Sequence, residues 1–200
     1  MSDPVKKYSP SETNIESDST KIKPAPIEPL TVPSSFEYLN LPALRFIGVD
    51  ANSRGGDWGN LWAEKREFLP ALENMSDAIC PQIPQLCGLQ HSANGNVNVE
   101  DHLVVGYFFR ADTPAPDGYD YMDFPALTVG FATFDHASLD DNVELRPYVI
   151  TRDRILNDGK IIPYPIGYWS CEVYYDAAPL FDDDSPAFKL GYMFPVCEKE

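Results

Sequence analysis

Residues 168–176 read Tyr-Trp-Ser-Cys-Glu-Val-Tyr-Tyr-Asp. In a strand, successive side chains take opposite faces. Tyr168, Ser170, Glu172, Tyr174 and Asp176 then share one face, and Trp169, Cys171, Val173 and Tyr175 share the other. The first set joins two carboxylates to two tyrosines, which suits an organic cation: ring faces attract the charge and a carboxylate neutralises it. The mostly apolar second set is expected to face helices. A carboxylate desolvated among rings has a raised pKa, so Glu172 could also act as a general base on water. The competing reading is a solvated polar face on which Glu172 is one acid among many. A register slip of one residue would exchange the two faces.

Tyr107, Phe109, Phe131, Phe134 and Tyr192 are further aromatics on expected strands. They are candidates for lining the same groove, with ordinary core as the alternative for each. Trp62 is expected to pack the first helix on the sheet. Asp135-His136 is an acid–base pair by type, but one adjacent pair in a loop is weak evidence. His91, His102 and His136 have no ligand spacing, and Cys80, Cys87, Cys171 and Cys197 form no CxxC pair. No metal is expected, and the cysteines read as free thiols. Nucleophile-elbow, P-loop and dinucleotide motifs are missing, so no cofactor is expected.

The elements that must position these residues repeat. Phe36-Glu37-Tyr38-Leu39-Asn40-Leu41-Pro42-Ala43-Leu44 is echoed 83 residues later by Tyr119-Asp120-Tyr121-Met122-Asp123-Phe124-Pro125-Ala126-Leu127. Leu103–Phe109 is echoed 85 residues later, around Gly191-Tyr192-Met193-Phe194. Two matches at nearly one offset imply a duplicated unit of about 80 residues, with repeats at 36–118 and 119–197. A groove between the halves is the natural ligand site. Each repeat reads β-α-β-β. Strand segments are expected over 36–49, 86–91 and 102–110, then over 119–134, 168–176 and 188–196. One helix is capped by Asp57, has Leu61, Trp62, Phe68, Leu69, Leu72 and Met75 as its apolar positions, and kinks or restarts at Pro70. The other runs over about 142–157 with Leu145, Val149 and Leu156 on one face, Pro147 near its start and Gly159 at its end. The fold class is α+β with mostly antiparallel pairing. By the repeat, Gly88 takes the place of Glu172, so the groove carries its carboxylate on one side only.

The chain of 200 residues is long enough for one domain with a core. Residues 1–35 hold six prolines, many Ser and Thr and one aromatic, and read as a disordered tail before a domain over 36–200. Net charge is −16. Such a surface repels a phosphate backbone and favours cations, or serves solubility alone. No apolar run reaches a membrane span and the N-terminus lacks signal-peptide character, so a cytoplasmic location and no membrane contact are expected.

Together, the paired units, Glu172-Val173-Tyr174 after a helix and loop, and the Gly191–Val196 ending Gly-Tyr-Met-Phe-Pro-Val resemble the GyrI-like small-molecule-binding domain. This is the effector-binding domain of some AraC-type and multidrug-sensing regulators. The resemblance covers about 36–197. It implies pseudo-two-fold halves, a curved antiparallel sheet with two helices on one side, and a central groove. It also implies a glutamate on a second-half strand, here Glu172, that pairs with cationic ligands in an aromatic-lined groove. Members act as sensors fused to DNA-binding domains, as modulators such as gyrase inhibitory proteins, or, in one branch, as hydrolases of strained cyclopropane toxins. The proline-rich first 35 residues offer no helix-turn-helix, so a stand-alone form without direct nucleic-acid contact is expected.

The leading functional reading is a binding protein for amphipathic, cationic small molecules, in drug or toxin sensing or sequestration. Its ligand-binding set is Glu172, Tyr174, Tyr168, Tyr107, Phe109, Phe131 and Tyr192. The alternatives are a hydrolase using Glu172 as general base and a gyrase-inhibitor-like module contacting a protein partner such as a topoisomerase.

Overall fold

The computed structural model describes residues 31–54, 58–92, 101–138, 141, 145–163, 169–175 and 188–198. Tyr168, Asp176, the Asp57 cap and the chain before residue 31 lie outside the described residues.

Eight strands form one sheet in the order β1-β6-β8-β7-β3-β4-β2-β5, with every pairing antiparallel. In chain order they are β1 (Ser35–Leu41), β2 (Leu44–Asp50), β3 (Leu86–Ser92), β4 (Asp101–Arg110), β5 (Asp120–Phe124), β6 (Leu127–Ala137), β7 (Trp169–Tyr174) and β8 (Phe188–Val196). Helix α1 spans Trp58–Glu73 and helix α2 spans Arg146–Asn157. The α+β class therefore holds. Each expected β-α-β-β unit is instead β-β-α-β-β, because proline breaks what reads as one long strand. Pro42 falls between β1 and β2, and Pro125 between β5 and β6. Proline has no N–H to give a ladder, and here the broken halves pair with different neighbours: β1 with β6, and β2 with β4 and β5. β1 begins at Ser35, and Ser34 already donates its N–H to the Thr133 carbonyl at 2.7 Å, so ordered chain starts before residue 36.

These short links force curvature. In a flat sheet β1 and β2, six places apart, would lie about 29 Å apart at the usual strand spacing. The three steps from Leu41 to Leu44 reach at most about 11 Å. The sheet must curl until its two ends approach. It thereby acquires an inner face that needs no helix to cover it. Leu41, Leu44, Phe46, Phe108, Phe124, Val129, Phe131, Trp169, Cys171, Val173 and Met193 form a buried cluster there, closed in part by Cys80 and Ile83 after α1. The expectation that Trp169, Cys171 and Val173 face helices is thus wrong, for curvature buries them against strands.

Both helices lie on the outer face. α1 covers β2 and β4, placing Leu61, Phe68, Leu69 and Leu72 on Ile47, Val49, Val105 and Phe109. The helix is one span through Pro70. Proline removes only its own N–H from the ladder, and Leu69 and Leu72, buried on either side of it, hold the helix against the sheet. α2 covers β6 and β8. It buries Pro147, Thr151 and Ile155, four apart, and leaves the expected Leu145, Val149 and Leu156 exposed. Thr151 fits this apolar face because its hydroxyl donates to the Pro147 carbonyl at 2.6 Å. Gly159 ends the helix as expected, at φ +79. Its N–H bonds the Leu156 carbonyl and that of Lys160 bonds Ile155, the pairing of a Schellman stop.

Candidate functional site

Among the described residues, α1 packs on β2 and β4 and α2 on β6 and β8, with the two central strands, β3 and β7, between them. A cleft of about 230 Å³ lies there, lined among the described residues by Gly88, Gln90, Leu103, Leu145, Glu172 and Tyr192. Glu172 and Gly88 are direct cross-strand partners, as are Glu172 and Tyr192. Glu172 is half-buried and contributes the one carboxylate of this described lining.

Buried tyrosines support the floor. The Tyr174 hydroxyl donates to Glu172 Oε2. Burial, then the nearby Glu172 charge and this bond, push the Tyr174 pKa well above its usual value, so it stays a neutral donor. The Ser170 and Tyr192 hydroxyls share a hydrogen bond of 3.1 Å. Tyr148 of α2 packs edge-on against Tyr192, with centroids 5.8 Å apart, and fixes that ring from the helix side.

The other sequence candidates scatter. Tyr107 is on the outer face under α1, where its hydroxyl donates to Glu73 at 3.3 Å; burial foremost raises its pKa. Phe109 and Phe134 are fully buried in the outer core. Phe131 is on the inner face, across the sheet from Glu172. Asp135 and His136 are exposed, and Asp135 pairs with Lys189 at 3.2 Å, so no enclosed acid–base pair forms there. Alternation and the repeat brought Glu172, Tyr174, Tyr192 and Gly88 into view. The repeat places Gln90 in the 88–92 segment opposite Glu172 without singling it out, and Leu103 carries no signal, because neutral types announce no chemistry. Leu145 was assigned to a helix face, but it sits at φ 56 just before α2 and turns toward the cleft.

Solved structures share this architecture. A protein from Staphylococcus aureus MU50, described in terms of bacterial transcription regulation, aligns over 81% of this chain and 97% of its own, at 11% identity and TM-score 0.52. SAV2435, solved bound to tetraphenylphosphonium, aligns over 82% and 94%, at 12% identity and TM-score 0.54. The C-terminal domain of EcmrR aligns over 82% and 98%, at 15% identity and TM-score 0.48. No protein-family model matches the chain, and no curated protein matches it significantly. At such identities the likeness is one of fold alone.

Proposed function

We propose that this chain binds an amphipathic organic cation in the cleft between α1 and α2, with Glu172 as its charge partner and Tyr192 and Tyr174 as the supporting rings. The observation that carries this reading is the half-buried Glu172 carboxylate on the floor of a cleft whose other described lining is neutral. A carboxylate in such a place is poorly solvated, and a lipophilic cation restores what water no longer gives. A structure of the same fold, SAV2435, holds the lipophilic cation tetraphenylphosphonium. The Tyr174 hydrogen bond stabilises the ionised carboxylate, which favours a charge contact over a general base. Tyr168 stays in the proposed ligand set.

We also infer that the fold arose by duplication. Replacing each strand by the one four places away in the chain turns the order β1-β6-β8-β7-β3-β4-β2-β5 into its own reverse. The pseudo-axis this implies passes between β3 and β7, under the cleft. The test of the binding reading is calorimetric titration with tetraphenylphosphonium and with neutral triphenylphosphine oxide. Saturable binding of the cation and much weaker binding of the oxide are expected. Equal binding of the two, or no binding of the cation, refutes it.

A further inference from the structure

A second cleft lies on the inner face, at the end of the curled sheet away from the Pro42 link. It also measures about 230 Å³. Four strands deliver its polar residues: Asp50 ends β2, His91 lies near the end of β3, His102 near the start of β4, and Asp120 begins β5. The two histidines look unrelated in sequence, yet they are direct cross-strand partners. Their rings stack with centroids 4.7 Å apart and planes 9° from parallel.

Asp50 is only 8% exposed, and both of its oxygens are engaged. Oδ1 accepts the Asn52 N–H at 2.9 Å, and Oδ2 lies 2.5 Å from His102 Nδ1. A carboxylate that close to Nδ1 holds the proton there, so the lone pair of the neutral ring sits on Nε2. One oxygen of Asp120 accepts the Asp50 N–H at 3.2 Å, and its carboxylate remains an exposed anion. The polar wall therefore offers acceptors and negative charge. Phe46, Val104 and Met122 supply an apolar wall.

We propose that this inner cleft is a second ligand site, for a small apolar body carrying a primary ammonium. The ammonium donates to His102 Nε2 and to Asp120, while the body lies against Phe46, Val104 and Met122. Asp50 is a positioning residue that fixes the His102 tautomer. The site is separate from the Glu172 cleft, which lies on the outer face of the same sheet.

The test uses the full chain at pH 8 and follows the ring carbon–proton NMR signals of the three histidines. These are titrated with benzylammonium, benzyl alcohol and benzoate. Benzylammonium should shift His102 and His91 saturably and leave His136 unmoved. Benzyl alcohol should bind about tenfold more weakly, the ratio that corresponds to about 1.4 kcal/mol for a charge-assisted bond. Asp120→Asn should weaken benzylammonium, and Glu172→Gln should not change the response. The proposal is overturned by no saturable shift at His102, by equal binding of the alcohol, by preference for benzoate, or by loss of the shift in Glu172→Gln. The wild-type ligand comparison decides even if Asp120→Asn fails to fold.

Discussion

Replacing Glu172 by Gln keeps the side-chain shape and deletes one charge. An organic cation shields its charge with substituents, so its centre would sit about 5 Å from the carboxylate. Coulomb's law then gives about 0.8 kcal/mol in bulk-water dielectric and about 3.3 kcal/mol at an effective dielectric near 20. Glu172 is half-buried in a cleft open to solvent, so the value should fall inside that bracket. The expected loss is roughly 1–3 kcal/mol, or about 5- to 150-fold in affinity. Neutral ligands of the same shape should bind wild type and variant alike. The fold should tolerate the change, because the amide oxygen of Gln can still accept the Tyr174 hydroxyl that Glu172 accepts. Titration of both proteins with tetraphenylphosphonium and triphenylphosphine oxide, beside their melting curves, separates the charge effect from any loss of structure. Unchanged cation affinity in a folded variant would refute Glu172 as the charge contact.

Gly106→Ala should cost about 3 kcal/mol or more, because its Cβ would lie 2.0 Å from the Ile47 carbonyl oxygen and 2.6 Å from Gly48 Cα, both backbone; denaturant unfolding reads it. Gly159→Ala meets no neighbour but must hold φ +79, so a milder loss of about 1 kcal/mol is expected in the same assay. Removing residues 1–30 should leave the melting temperature nearly unchanged, whereas removing 1–41 deletes the β1 ladder with β6 and should lower it steeply. Duplex DNA should show no gel retardation at physiological salt, given the charge of −16.

Part of the candidate outer cleft is legible because strand alternation fixes which side chains share a face: Glu172 and Tyr192 line it, whereas Tyr107, Phe109 and Phe131 lie in the cores. Once β7 was placed, Glu172 and Tyr174 had to share a face, and they do. The repeat placed Gly88 as the counterpart of Glu172, and the two pair directly. The assignment of helices to a face was not legible. It rested on the rule that an apolar face needs helices, which fails when a sheet curls and covers itself. Trp169 therefore faces strands rather than helices, and Phe131 takes its alternative reading as ordinary core. The α2 face was misread for a related reason. Leu145, Val149 and Leu156 drew attention as apolar types, but the buried spacing is Pro147, Thr151 and Ile155, and one of those is polar. The histidine cluster stayed hidden because the strand register, not sequence spacing, joins His91 to His102.

The two clefts follow from one feature, the crossing of the chain at Pro42 and Pro125. Each crossing sends one strand of a half across to the other half, which both curls the sheet and leaves β3 and β7 side by side at its centre. Under the proposed duplication, the two central strands would ordinarily offer matching groups. Here the cross-strand partner of Glu172 is Gly88, which brings neither charge nor bulk. Two carboxylates facing each other would repel and would suit a dication. One carboxylate opposite a glycine suits a single positive charge and leaves room on the β3 side for the apolar part of the ligand. If the proposed role of Glu172 holds, the asymmetry between the halves sets the charge of the ligand and the direction in which it lies.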